Sequence, residues 1–291
     1  MNSDQIQQYC SKVWNSSITP ELVEYIRVPN KSPLFDPDWE QNGYMESIVQ
    51  QFCQWIDKRP IRGLRHEVVR LPSRTPLILI EVEGTSDNTV LLYGHLDKQP
   101  EMTGWRSGLG PWQPVLEGDR LYGRGGADDG YAMFSSLLAI ESLQQQDIPH
   151  ARCVVIIEAC EESGSPDLPY YMDHLGDRIG TPELVICLDS GCGNYDQLWC
   201  TTSLRGLVGG ELRVEVLEEG IHSGDASGIV PSSFRILRQL LDRVENSITG
   251  EISGEFHVPV PEQRLQQARD AAGMLGEDIH KRFPFVDGCG P

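Results

Sequence analysis

The sequence predicts an α/β protein: a mostly parallel sheet sandwiched by helices, followed by a smaller, partial α+β region. Three observations carry this. The runs Cys153-Val-Val-Ile-Ile157 and Leu184-Val-Ile-Cys-Leu188 are apolar throughout, as strands buried on both faces are. Between residues 77 and 188, strand-like and helix-like segments alternate in the order of a layered sandwich. Near residue 203 the texture changes to short alternation followed by Pro- and Gly-rich chain.

Taken in order, residues 21–27 and 44–57 read as helices. In the second, Ile48, Val49, Phe52, Trp55 and Ile56 share one face. Leu77–Val82 and Val90–Tyr93 read as strands, and Asp87-Asn88 between them is turn chemistry, so the pair is expected to form a hairpin. Tyr131–Gln145 reads as a helix that buries Met133, Phe134, Leu137, Leu138 and Ile140. Arg205–Leu217 alternates through Leu212, Val214 and Val216, as a half-exposed strand does. Pro231 opens a helix with Phe234, Leu237, Leu240, Leu241 and Val244 inward, ending near Gly250. The expected domains are residues 1–203 and 204–291.

A chain of 291 residues has room for one large or two ordinary domains. Its formal charge of −19 repels phosphate backbones and argues against a nucleic-acid partner. No apolar run approaches the roughly 20 residues needed to span a bilayer, so no membrane partner is expected. The segment Met1-Asn-Ser-Asp-Gln-Ile-Gln-Gln8 has no basic region followed by an apolar core, so no secretory signal is read there. The eight cysteines form no Cys-x-x-Cys pair and several lie in apolar runs, which predicts reduced, mostly buried thiols in a cytoplasmic protein. No Gly-x-Ser-x-Gly occurs, which argues against a serine hydrolase.

Four apolar runs end in acids or a histidine: Leu91-Tyr-Gly-His-Leu-Asp-Lys98, Gly123-Arg-Gly-Gly-Ala-Asp-Asp-Gly130, Ile156-Ile-Glu-Ala-Cys-Glu-Glu-Ser-Gly164 and Leu184-Val-Ile-Cys-Leu-Asp-Ser-Gly191. Carboxylate oxygens with an imidazole suit a divalent metal such as zinc. His95 and Asp97 stand two apart on extended chain, on one face, where Asp97 can hold the second ring nitrogen of His95. Asp128-Asp129 follows a glycine run that fails the dinucleotide fingerprint, since Asp128 stands where the third glycine belongs. Taken alone, the two acids could also be helix caps. Side chains of Glu161 and Glu162 diverge, so one can bind metal while the other serves as a general base. Asp189 supplies one more oxygen. Sites in open α/β sheets lie beyond the carboxyl ends of the strands, which brings His95, Asp128, Glu162 and Asp189 together. His222, in Gly220-Ile-His-Ser-Gly-Asp225, stands apart on a loop, where a lone histidine is usually only a surface residue.

In series, Gly94-His-Leu-Asp97, Gly123-Arg-Gly-Gly-Ala-Asp-Asp129, Glu161-Glu-Ser-Gly164, Asp189 and Gly220-Ile-His-Ser-Gly224 resemble the metallopeptidase family of carnosinase-type dipeptidases, aminoacylases, acetylornithine deacetylase and succinyl-diaminopimelate desuccinylase. The wording is nearest the dipeptidase branch, and the likeness covers roughly residues 20–230. It implies a zinc-aminopeptidase-like catalytic domain and a lid and dimerisation domain. It implies two divalent metal ions, most often zinc, with manganese or cobalt as alternatives. Asp128 would bridge them, His95 and Asp189 would complete one, and Glu162 would serve the other. Asp97 would support His95, and Glu161 would be the general base and acid. His222 would come from the lid of a partner subunit in a homodimer and stabilise the oxyanion. The expected substrate is a dipeptide or short peptide, or an N-acyl amino acid in a deacylase. Two departures stand out. Gly130-Tyr131 replaces the family's lysine, with effects expected on local packing and substrate entry. The family's last histidine ligand has no counterpart before Pro291, and His257 and His280 lack its context. A truncated chain or an incomplete second metal site is therefore expected, and with it a catalytically incomplete remnant as the rival reading.

Overall fold

Helices lead the chain. The computed structural model describes residues 2–290. Helix α1 (Ser3–Val13) is capped by Asn2, whose side chain accepts from the Gln5 amide. Helix α2 (Thr19–Arg27) carries Pro20 in its first turn, where the missing N–H costs nothing. The short α3 (Trp39–Asn42) stops at Gly43, which takes the left-handed φ of 70°. Helix α4 (Tyr44–Ile56) buries Ile48, Val49, Phe52, Trp55 and Ile56, the face predicted from their spacing.

Strands β1 (Leu64–Val69), β2 (Leu77–Val82) and β3 (Ser86–His95) follow, then the hairpin β4 (Val115–Glu117) and β5 (Arg120–Tyr122). Helix α5 (Ala132–Gln144), β6 (Ala151–Glu158), α6 (Leu168–Ile179) and β7 (Leu184–Cys187) complete the α/β alternation. The main sheet has the order β1-β2-β6-β3-β7. Because β2 is antiparallel to both neighbours while β6, β3 and β7 are mutually parallel, four of the five strands point one way. This is the mostly parallel α/β class. The two-residue period of β2 shows why it is a sandwich. Ile78, Ile80 and Val82 join the layer of α1, α2, α4 and α5, whereas Leu77 and Leu79 join Tyr171, Leu175 and Ile179 of α6.

The structure departs from the sequence expectations at several elements. Strands β2 and β3 are not a hairpin: β6 lies between them, and Asp87-Asn88 continues β3 rather than turning. Sequence neighbours are separated because the β3–β6 crossover inserts its strand between them. β7 is not buried on both faces but is an edge strand, with Leu184 and Val185 about half exposed at 52% and 53%. Residues 205–217 form no strand, since no described ladder satisfies their backbone groups. Of the eight cysteines, all free, only Cys153 and Cys160 are buried, while Cys187, Cys192, Cys200 and Cys289 are exposed.

Contacts divide the chain into two units, one ending at Gly191 and the other beginning at Cys192. The second unit contains α7 (Ser223–Ala226), α8 (Ser233–Leu241), α9 (Glu262–Leu275) and α10 (Asp278–Lys281). Ser232 caps α8 by accepting the Arg235 amide. This helix ends at Leu241, short of Gly250, because residues 242–250 form turns around a bridge of Glu245 with Ile252. Among the described residues no helix is long and apolar enough to cross a membrane.

Candidate metal centre

His95 is the last residue of β3, at the carboxyl end of the sheet. The chain before it must be glycine. A Cβ on Gly94 would come within 2.4 Å of the Ala132 Cβ and 2.7 Å of Asp129 Oδ2. Beyond β6 the backbone turns at Cys160 into a 3₁₀ turn, Glu161–Ser163, which Gly164 closes at φ 85°. The Gly126–Gly130 turn, entered through Gly125 at φ 85°, presents Asp128 and Asp129 across a cis peptide bond. Asp189 lies just past β7.

These elements converge on one imidazole. His95 Nε2 lies 3.3 Å from Asp128 Oδ1, 3.7 Å from Asp189 Oδ2 and 3.8 Å from Glu161 Oε2. One group comprises His95, Asp128 and Asp189 and another His95, Glu161 and Glu162, each with donor atoms within 4.8 Å of one another. His222 belongs to the second unit, where it is exposed and its Nδ1 accepts the Gly224 amide.

Asp97 does more than its place in the sequence suggested. It is fully buried, and its two oxygens accept the amides of Glu161 at 3.2 Å and Glu162 at 3.1 Å. The nearest acceptor to His95 Nδ1 is the Asp97 carbonyl at 3.1 Å, with the carboxylate at 3.5 Å. Asp97 therefore ties the acid turn to the histidine loop. Two further residues escaped sequence reading. Asp129 is fully buried and accepts the His95 amide at 3.2 Å. Gln99 donates its side-chain amide to Glu162. Gln99 directly follows Lys98, but its partner lies 63 residues away, beyond the reach of local pattern.

The departure at Gly130-Tyr131 has a packing cause. A Cβ on Gly130 would lie 2.3 Å from the ring of Tyr25, so glycine makes room for that buried aromatic. Tyr131 donates its hydroxyl to the Leu188 carbonyl, next to Asp189.

Electrostatically the acids of the site outnumber its cations. Burial lifts Asp129 to about 8 and Glu162 to about 7, with neighbouring carboxylates adding to both. Glu161 and Asp189 are raised by burial too. Burial pulls His95 down, but Asp128 and Asp97 outweigh it and lift the imidazole to about 11. Its 3.3 Å approach to His95 holds Asp128 low, helped by Arg124 and opposed by burial. A proton on His95 thus supplies the charge the carboxylates demand. His95 Nε2, Asp129 Oδ1 and Glu162 Oε1 are buried with no hydrogen-bond partner. Buried polar atoms without hydrogen-bond partners, converging with carboxylates, fit a divalent cation that takes the place of the imidazole proton.

An imidazole and acids gathered at the carboxyl end of an α/β sheet offer the donor set of a divalent cation site. Residues 91–284 match the model of Peptidase family M20/M25/M40, and the chain belongs to that family. It is 30% identical over 196 residues to the Beta-Ala-His dipeptidase of Homo sapiens, a match covering 63% of this chain and 36% of that one. An uncharacterized metallohydrolase of Methanocaldococcus jannaschii is 29% identical over 198 residues, covering 63% of this chain and 48% of its own length. The chain thus spans about half, or less, of the length of these relatives. Crystal structures share the fold: human carnosine dipeptidase 1 has a TM-score of 0.59 at 21% identity, covering 97% of this chain and 62% of that one. The di-peptidase Dug1p of Saccharomyces cerevisiae gives 0.57 at 21% identity, covering 97% and 59%.

Proposed function

We propose that the chain is the metal-binding part of a metal-dependent hydrolase that cleaves an amide bond of a dipeptide or short peptide. The observation that carries this is the convergence of four acids, Asp128, Glu161, Glu162 and Asp189, on one buried imidazole nitrogen that makes no hydrogen bond. Membership in the family and likeness to dipeptidases support it. His95, Asp128, Glu162 and Asp189 would hold two divalent ions, zinc by donor type, with manganese or cobalt as alternatives. When bound, such ions polarise the scissile carbonyl and bring the pKa of a coordinated water towards about 7.

The chain's own groups do the rest. Glu161 is half-buried at 32% side-chain exposure, with an oxygen 3.8 Å from His95 Nε2. Burial raises it, so its carboxylate accepts a proton more readily than a solvated one and can return it to the leaving amine. Asp97 keeps His95 and the acid turn in register. At His222 the Gly224 amide occupies Nδ1, so in the neutral ring Nε2 carries the proton and is a donor for an oxyanion. We assign it, as residues 204–291, to a lid and dimerisation region acting on the partner copy's site. Residues 1–203 form the catalytic part. The cysteine usage supports a cytoplasmic location.

A second reading is a chain that binds one metal without turnover. It is favoured by one observation: both candidate groups draw on the same imidazole, His95. Metal content per chain with parallel assays on dipeptides and N-acetyl amino acids separates the readings. The proposal expects hydrolysis of dipeptides and a loss of about 10²–10⁴-fold in Glu161→Gln with metal uptake retained. Turnover on N-acetyl amino acids alone would make the chain a deacylase. Unimpaired hydrolysis by Glu161→Gln overturns the role of Glu161, and one metal without turnover selects the second reading.

A further inference from the structure

Lys98 follows Asp97 and is fully buried, yet no described carboxylate lies within ion-pair distance of it. Its Nζ donates to the carbonyls of Tyr25 at 2.6 Å and Val28 at 2.7 Å. The Tyr25 carbonyl also accepts the Val28 amide at 3.1 Å, whereas the Val28 carbonyl, just past the end of α2, depends on the lysine. The same nitrogen lies 3.7 Å from the Tyr25 ring centre. Its alkyl stem packs on Gly125, where a Cβ would come within 2.7 Å of it. Burying a lysine is costly, and a methionine of similar length would fill the same space.

The backbone around Lys98 is fastened to the same segment. Leu96 O accepts from Tyr25 Oη at 3.0 Å and from Asn30 Nδ2 at 2.5 Å. Lys98 O accepts the Ser32 amide at 3.0 Å. A second limb reaches the acid turn: Ser32 Oγ lies 2.5 Å from Ser163 Oγ, which accepts the Leu34 amide at 2.9 Å. Residues 25–34 therefore grip both the loop after His95 and the turn that carries Glu161 and Glu162.

We propose that residues 25–34 are a bracket that fixes the separation of His95 from the Glu161–Glu162 pair, with Lys98 as the positioning residue that locks it. The inference rests on the metal-site reading above and deepens it. A methionine at 98 removes both ammonium bonds, leaves the buried Val28 carbonyl unpaired and loosens the end of α2, so the histidine loop and the acid turn drift apart. A serine-to-alanine change at 163 opens the other limb without burying a new unpaired charge.

The test is zinc affinity of the full chain, by competition with a chromophoric chelator, for the parent, Lys98→Met, Ser163→Ala and a distant core control, Ile48→Val. Thermal melts of the metal-free proteins run alongside. The bracket predicts zinc binding weakened about 10–100-fold in Lys98→Met and by a smaller factor of the same sign in Ser163→Ala, as for other groups that orient ligands. The control melts earlier with affinity unchanged. Should Lys98→Met fail to fold, Ser163→Ala decides alone. Affinities within twofold of the parent, or an equal loss in the control, overturn the bracket. A parent that binds zinc but hydrolyses nothing overturns the proposed activity and leaves the bracket to be judged on affinity. A parent that takes up no zinc defeats both.

Discussion

Replacing Asp97 with asparagine separates support of the histidine from anchoring of the acid turn. The carboxylate accepts two amides, Glu161 at 3.2 Å and Glu162 at 3.1 Å, and stands 3.5 Å from His95 Nδ1. Asparagine keeps the shape and one acceptor but turns an N–H towards the second amide. One charge-assisted bond is lost and one buried donor is stranded, together about 2–4 kcal/mol. Removing the negative charge relieves repulsion of Glu161, Asp189 and Glu158 but forfeits attraction to His95 at 3.5 Å, so the two charge effects oppose one another. The net cost to the metal-free protein is about 2–4 kcal/mol, set by the hydrogen bonds. The released turn also weakens zinc binding by about 10–100-fold. Urea unfolding in EDTA measures the first effect and chelator competition the second. An unchanged unfolding midpoint together with zinc affinity within twofold of the parent refutes the anchoring.

Three further outcomes follow from the same geometry. In EDTA the protein loses stability as pH rises from about 5 to 8, because Asp129, Glu162 and His95 all have folded pKa values above their unfolded ones, so the folded state holds more protons across that range. A urea midpoint that climbs over this interval contradicts that sign. With zinc the stabilisation grows with pH instead, since ligands must shed protons to bind; a zinc-induced shift in melting temperature that shrinks from pH 6 to 8 would count against the site. Gly130→Ala drives a Cβ to 2.3 Å from the Tyr25 ring and costs about 1–3 kcal/mol, visible as a lowered melting temperature; an unaltered melt means the ring has room to move.

The parts of the site that the sequence made legible are those written in contiguous strings. His95, Glu161, Glu162 and Asp189 follow the apolar runs of β3, β6 and β7, whose ends meet in a parallel sheet, whereas Asp128 arrives on the glycine-rich turn before α5. What stayed hidden depends on partners far apart in the chain. Asp129 is distinguished from Asp128 only by which of them turns inward to the His95 amide 34 residues away. Tyr25 and Lys98 are 73 residues apart and neither carries a recognisable pattern. The expected hairpin failed for a related reason. Turn residues between two strands say that the chain can reverse there, while the place of β6 between β2 and β3 is decided by a later segment of 8 residues. The alternation at 205–217 marks side chains suited to a strand, but a strand also needs a neighbour to accept its backbone, and none is described.

The three strands that feed the cluster are not equally held. β6 and β3 have neighbours on both sides, whereas β7 pairs with β3 alone through four residues. An outer strand frays at lower free energy than an inner one. The donor set is therefore graded in stiffness, with His95 fixed to the interior and Asp189 breathing with the margin. An ion shared by the two would act as a clasp on that margin. Part of its binding free energy would go into stilling the outermost strand, so the grip on the ion and the quietness of β7 are one property measured in two places.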